Sequence, residues 1–189
     1  MNMTCQLSNV TKRYLAKYDC ILNEMIKGMT EAELTKSISH NFIVQMIPHH
    51  QAAIEMSENI LQYTTDIPVQ EIALSIITEQ TKSIETMRDI LCPCEKQTNC
   101  PQPLCVYGHR VNQILETMFT QMREACYDNR INANFLREMI PHHRGAVRRS
   151  RNALQYEVCP ALRPILEDIL STQEKGIGQM ESLLYCMGY

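Results

Sequence analysis

The chain of 189 residues has no tryptophan, only three phenylalanines and six glycines, and nowhere the ~18 consecutive apolar residues of a membrane-spanning helix. A spanning segment is therefore excluded. The start, MNMTCQLSNVTKRY, lacks the basic-then-apolar pattern of a secretory signal, so a cytoplasmic location is expected. A net charge of −3 gives no general pull toward nucleic acid or anionic lipid, and neither is expected as a partner. β-branched residues never alternate over a bounded run, so strands are not expected.

Several catalytic signatures are missing as well. No glutamate is followed by histidine three residues later, which disfavours the di-iron carboxylate centre of many helical bundles. His-Glu-x-x-His is absent, so zinc hydrolysis has neither its ligands nor its base. Gly-rich phosphate loops and the Gly-x-Ser-x-Gly elbow are also absent. No acid/base or nucleophile constellation remains, and an enzyme is not expected.

What the chain has instead is soft-ligand chemistry: twelve methionines, nine cysteines and six histidines. Thioether, thiol and imidazole suit soft metals rather than Mg²⁺ or Ca²⁺. Nine cysteines cannot all pair within one chain, and a reducing cytosol would keep most of them as thiols. A composition 44% hydrophobic and 21% charged is that of a chain with a real core.

The chain is built from an internal duplication. A shift of 93 residues aligns 10–91 with 103–184 without a gap, with 28 identities in 82 positions. Average residue usage would give roughly one identity in sixteen, so the match is not chance. Its strongest block is FIVQMIPHHQAAIEMSENILQY (42–63) against FLREMIPHHRGAVRRSRNALQY (135–156). Apolar spacing predicts three helices per half, in the first about 10–29, 40–62 and 68–91. The stretch CPCEKQTNCPQPLC (92–105) reads as a Pro- and Cys-rich linker that no helix crosses. The expected architecture is one all-α domain over 1–189. Hairpins of the second and third helices would form a four-helix core, with the first helix of each half outside it or capping its ends. Two separate three-helix domains are the other arrangement compatible with the pattern.

Pro48 precedes His49 within a helical pattern, so a helix either starts or kinks there. Met46 and His50, four apart, share a face. Met46, His49, Ala53 and Met56 follow the inward stripe, and Met87 is the sulfur that the next helix could bring opposite. Two imidazoles and two or three thioethers form a neutral, soft set suited to Cu(I). Such stripes also serve as plain core, since methionine fills irregular gaps; Met25, Met29, Met118 and Met122 read that way. The pair His142–His143 repeats the motif at the same register, whereas Arg149 stands at the place of Met56. The first half is therefore expected to bind metal better, or the second to use other ligands. Arg144, Arg148 and Arg151 fall on what should be the outward face. Cys92, Cys94, Cys100 and Cys105 could hold Cu(I) or zinc, exchange disulfides, or stay reduced and unliganded. For Cys5, Cys20, Cys126, Cys159 and Cys186, apolar packing is expected.

The doubled F-x3-M-I-P-H-H motif resembles the ferritin-like family called domain of unknown function 305. That family follows each His-His helix with a Q-x2-E-I-x2-M signature, here Q-T-K-S-I-E-T-M (80–87) and Q-E-K-G-I-G-Q-M (173–180). Ser83 and Gly176 stand where the family has glutamate. The resemblance implies a ferritin-like four-helix bundle. Some family members bind copper through Met and His, which implies Met46, His49, His50, Met56 and Met87 as ligands, with Met139, His142, His143 and Met180 in the second half. The expected function is a non-catalytic Cu(I) buffer or carrier. A structural or interaction bundle and a thiol-redox protein using the linker cysteines are the competing readings.

Overall fold

A computed structural model describes residues 6–188, so Cys5 lies outside the described residues. Six α-helices follow one another: α1 (Asn9–Thr30), α2 (Ile38–Leu61), α3 (Ile67–Glu95), α4 (Pro101–Arg123), α5 (Ile131–Ala153) and α6 (Arg163–Cys186). No strand occurs among the described residues, and no helix is long and apolar enough to cross a membrane.

In the first half the helix starts are set by local chemistry. Ser8, Ser37 and Asp66 each accept a hydrogen bond from the amide three residues on, which satisfies a backbone donor that the first turn leaves free. The second half has no side-chain cap at any of its three helices, and α4 and α6 instead carry proline in the first turn.

Helices α2 and α5 run uninterrupted through Pro48 and Pro141. The helix neither starts nor stops at these prolines, because dense packing outweighs one lost backbone hydrogen bond. Gly28 of α1 makes room: a Cβ there would lie 2.9 Å from the Cβ of Pro48. The linker is also shorter than expected. Helix α3 continues past Cys92, Pro93 and Cys94 to Glu95, and only 96–100 separate it from α4. Burial of Cys94, and the hydrogen bond from Ser37 Oγ to its carbonyl (2.8 Å), anchor that last turn despite the proline.

The hairpins α2–α3 and α5–α6 pack together through α2 on α5 and α3 on α6, giving the four-helix core; α1 lies against α2 and α4 against α5. Burial follows this order. Seventeen residues of α2 and seventeen of α5 are buried, against seven of α3 and five of α6, so α2 and α5 are the central pair. The duplication is visible in the hydrogen bonds. Asn59 Nδ2 donates to the Tyr14 carbonyl as Asn152 Nδ2 does to that of Tyr107. Edge-on ring pairs Tyr14–Tyr63 and Tyr107–Tyr156 repeat in the same way. Asn41 clasps the backbone of Thr35 through both its amide atoms, and Asn134 does the same to Asp128.

Candidate metal centre

The two His-His motifs meet in the middle of the core. The rings of His49 and His142, equivalent positions of the two halves, stack with centroids 3.6 Å apart and planes 28° from parallel. His50 and His143 flank them at 5.9 and 5.8 Å. Gln45 touches Arg149 while His49 touches His142, so α2 and α5 run antiparallel and the halves contribute to one centre rather than two remote ones.

All four imidazoles are buried, His49 and His142 completely. His142 Nε2 lies 3.0 Å from the His49 carbonyl. A carbonyl can only accept, so this nitrogen carries the hydrogen and Nδ1 presents a lone pair. That Nδ1, the Nδ1 atoms of His50 and His143, and both nitrogens of His49 have no hydrogen-bond partner. Buried polar atoms without partners are rare in native proteins and point to a ligand or water. Burial, together with repulsion from neighbouring rings and Arg149, holds His50 down at about 3 and pushes His49 well below the ordinary histidine value. His142 is lowered to about 4 and His143 well below its usual value, burial again being the main cause. The centre is therefore neutral at neutral pH, the protonation state in which imidazole binds metal.

Helices α3 and α6 supply the outer wall. Both side-chain atoms of Gln80, Oε1 of Gln173 and Oγ of Ser83 are buried without partners. A cavity of about 150 Å³ leads from the surface between these helices to His50, passing Glu79, Lys82, Asp168 and Thr172. Gly176 abuts the other ring: a Cβ there would lie 3.3 Å from His143 Nε2. Ser83 and Gly176 are thus beside the flanking histidines, and neither brings a carboxylate to the edge of the centre.

Met46, Met56, Met87, Met139 and Met180 are all fully enclosed in the same continuous core. Met25, Met29, Met118 and Met122, expected as plain core, are buried on α1 and α4, with Met118 pressed against Gly145. Among the described residues no three His, Cys, Asp or Glu side chains converge on a point that could hold an ion. The linker cysteines are not brought together as a set: Cys92, Cys100 and Cys105 are exposed and Cys94 is buried. Cys20, Cys126 and Cys186 are exposed rather than packed, because each sits on the outer side of its helix or in a loop; Cys159 is buried.

Two buried charged groups were not legible as site residues. Glu138, at the register of Gln45, is fully enclosed and accepts a hydrogen bond from Tyr14 Oη (2.5 Å). Burial outweighs that bond and pushes its carboxyl well above the usual range, toward the protonated form. Arg149 is also fully enclosed; burial lowers it only to about 10, and it keeps its charge. Its guanidinium donates to Gln45 Oε1 (3.1 Å) and lies 5.6 Å from the Phe42 ring centroid, with no carboxylate of the described residues in ion-pair reach. Its charge bears on His49 and His50, across the helix pair. The cation gained by the second half is therefore felt by the first. By contrast, Arg144 and Arg151 are outward as expected, paired with Glu181 and Glu174.

Comparison with known proteins follows the same outline. The sequence pattern described as "Domain of unknown function (DUF305)" matches residues 39–184. A solved DUF305 fragment from Deinococcus radiodurans superimposes with a TM-score of 0.56 at 22% identity, covering 77% of this chain and 94% of the fragment. The structure titled "CopM in the Ag-bound form (by soaking)" gives a TM-score of 0.59 at 25% identity, covering 79% of this chain and 96% of that one. No curated protein matches the sequence.

Proposed function

This chain belongs to the family of domain of unknown function 305, and from that premise we propose that it is a non-catalytic binder of a soft monovalent metal ion, copper as Cu(I), acting as buffer or carrier. The observation that carries the reading is the set of neutral, buried imidazole nitrogens without hydrogen-bond partners at the meeting point of α2 and α5. Since no three of these side chains converge, the ion would take at most two imidazoles at a time from His49, His50, His142 and His143, with thioethers drawn from Met46, Met56, Met87, Met139 and Met180. An ion accepting few, soft, uncharged ligands fits a centre where, among the described residues, no three His, Cys, Asp or Glu side chains converge. The similarity to CopM, solved in a silver-bound form, supports the same ligand chemistry, since Ag⁺ is likewise soft and monovalent. What the protein supplies is exclusion of water and a neutral setting in which the rings need not shed a proton. The exposed linker thiols, without a third partner, are a weaker place for zinc or copper.

The test is an anaerobic Cu(I) titration against a competing chelator, with elemental analysis of the purified chain. Wild type runs beside a His49/His50/His142/His143 quadruple Gln variant and a Cys92/Cys100/Cys105 triple Ser variant, each checked for helicity. Tight binding lost only in the histidine variant supports the centre. Loss only in the cysteine variant moves the function to the thiols, and no tight binding by wild type leaves a structural bundle. One observation favours that last reading for His142, whose Nε2 is already satisfied by the His49 carbonyl.

A further inference from the structure

Away from the histidine centre, the fold brings together two thiols that are far apart in sequence. Cys94, in the last turn of α3, and Cys159, in the α5–α6 loop, are both buried, and after burial itself Cys159 is the neighbour that raises the Cys94 thiol. Their backbones are tied to a single helix end. Ser37 Oγ donates to the Cys94 carbonyl and the Cys159 amide donates to Ser39 Oγ, both at 2.8 Å. Asn99 completes the lacing: its amide donates to the Lys36 carbonyl (2.8 Å), its Oδ1 accepts from the Ile38 amide (2.9 Å), and its Nδ2 donates to the Glu157 carbonyl (2.7 Å). The two cysteines are thus held beside one helix end by the backbone of three segments.

The equivalent junction at the other end of the molecule differs. The 93-residue shift places Met187 where Cys94 stands and Asp66 where Cys159 stands. There the structure has an open cleft of about 490 Å³, lined in part by Tyr63, Asp66, Ile131 and Met187. One end of the duplicated fold is sealed around two thiols, and the other is not.

We propose that Cys94 and Cys159 are a reversible disulfide site that locks the α5–α6 loop to the end of α3. The site is independent of the metal reading. The oxidant is a small-molecule disulfide. Cys159, the more accessible at 7% against 0% for Cys94, attacks it as thiolate and expels one thiol; Cys94 then attacks the Cys159 sulfur of the mixed disulfide and expels the second. Two protein thiols and one small disulfide become one protein disulfide and two small thiols, so atoms and electrons balance. A metal is the poorer occupant here. Two thiolates on a monovalent ion would bury a net negative charge, in a place where burial pushes the Cys94 thiol up to about 12, whereas a disulfide is neutral. The same burial makes exchange slow, on the scale of minutes to hours.

The test uses the full reduced chain incubated with oxidised glutathione at pH 8, then alkylated and mapped by mass spectrometry. The expected product is a Cys94–Cys159 crosslink, reversed by dithiothreitol, with Tm raised by roughly 10 °C from the long loop it closes. Neither effect should survive in Cys159→Ser. Because the crosslink is read on wild type, the test does not depend on the variant folding. Glutathionylated or mutually paired Cys92, Cys100 and Cys105, with Cys94 and Cys159 still free, would overturn the proposal. So would a complete Cys94–Cys159 bridge that leaves Tm unchanged, or a Tm rise that persists in the variant.

Discussion

The two ends of the α2–α5 pair have the same scaffold and opposite chemistry. At one, Glu138 takes the Tyr14 hydroxyl hydrogen bond, and burial favours its protonated, uncharged form. At the other, Gln45 replaces the acid and Arg149 replaces Met56, leaving a buried guanidinium on an amide and an aromatic face. A carboxyl group can neutralise itself when buried, but arginine holds its proton too tightly to do so. Duplication has therefore preserved the clasps that position the helices, Asn41 and Asn134, Asn59 and Asn152, while leaving the field across the histidine centre lopsided.

The largest effect expected from this comparison concerns what the ends share. His50 sits at about 3 and His142 at about 4 in the folded chain, against 6.5 ordinarily. Below the ordinary value the unfolded chain takes up protons that the folded chain refuses, so stability falls as pH drops. The histidine contribution is intact above pH 6.5 and is lost between there and pH 3 to 4. By pH 4 the loss should be on the order of several kcal/mol, since each pKa unit is worth about 1.4 kcal/mol. Urea unfolding at pH 7.5, 6 and 5 would show it, with a shallower slope in His50→Gln. Equal slopes would mean that these rings are not held neutral.

Arg149→Met restores the repeat and tests the asymmetry directly. Two unit charges about 10 Å apart interact by about 1.7 kcal/mol at an effective dielectric constant of about 20. Removing this cation should accordingly raise Cu(I) affinity by roughly tenfold and lift the histidine titrations toward their ordinary value, read by chelator competition and by NMR. An unchanged affinity would separate the ion from the His49–His50 side of the centre.

Glu138→Gln makes the two ends alike in the other direction, and its effect should be the smallest. The Tyr14 hydroxyl can still donate to the amide oxygen, so near pH 4 the variant should stay within about 1 kcal/mol of wild type. As pH rises through and above the carboxylate range, the wild type must hold a proton that its unfolded chain releases, and the variant need not. The variant should gain relative stability with rising pH. A pH-independent difference would show that Glu138 is ionised in the fold.

Much of this was legible beforehand, for reasons that are local. The inward stripe Phe42, Met46, His49, Ala53, Met56 and Ile60 is buried as its spacing indicates. The tyrosine and methionine stripe of α1 is buried too. The end of α3 was misjudged because Pro93 reads as a stop, while burial of Cys94 and a hydrogen bond from a distant serine carry the helix on. Arg149 was legible as a departure from the repeat, but its target was not, since an antiparallel partner reverses which half receives the charge. Gln45 and Glu138 lie four residues before the first histidine of each pair, a spacing that could have marked them as inward.

By itself the sequence determined the helices, the duplication and the apolar face of each element, because periodicity and capping are properties of neighbouring residues. Only the tertiary structure decided that His49 stacks on His142, that Ser83 and Gly176 face the flanking rings, and that Cys94 leaves the linker thiols for Cys159. A stripe records that a residue is buried. Which residue it is buried against depends on the direction and offset at which two distant helices pack, and no local pattern encodes that choice.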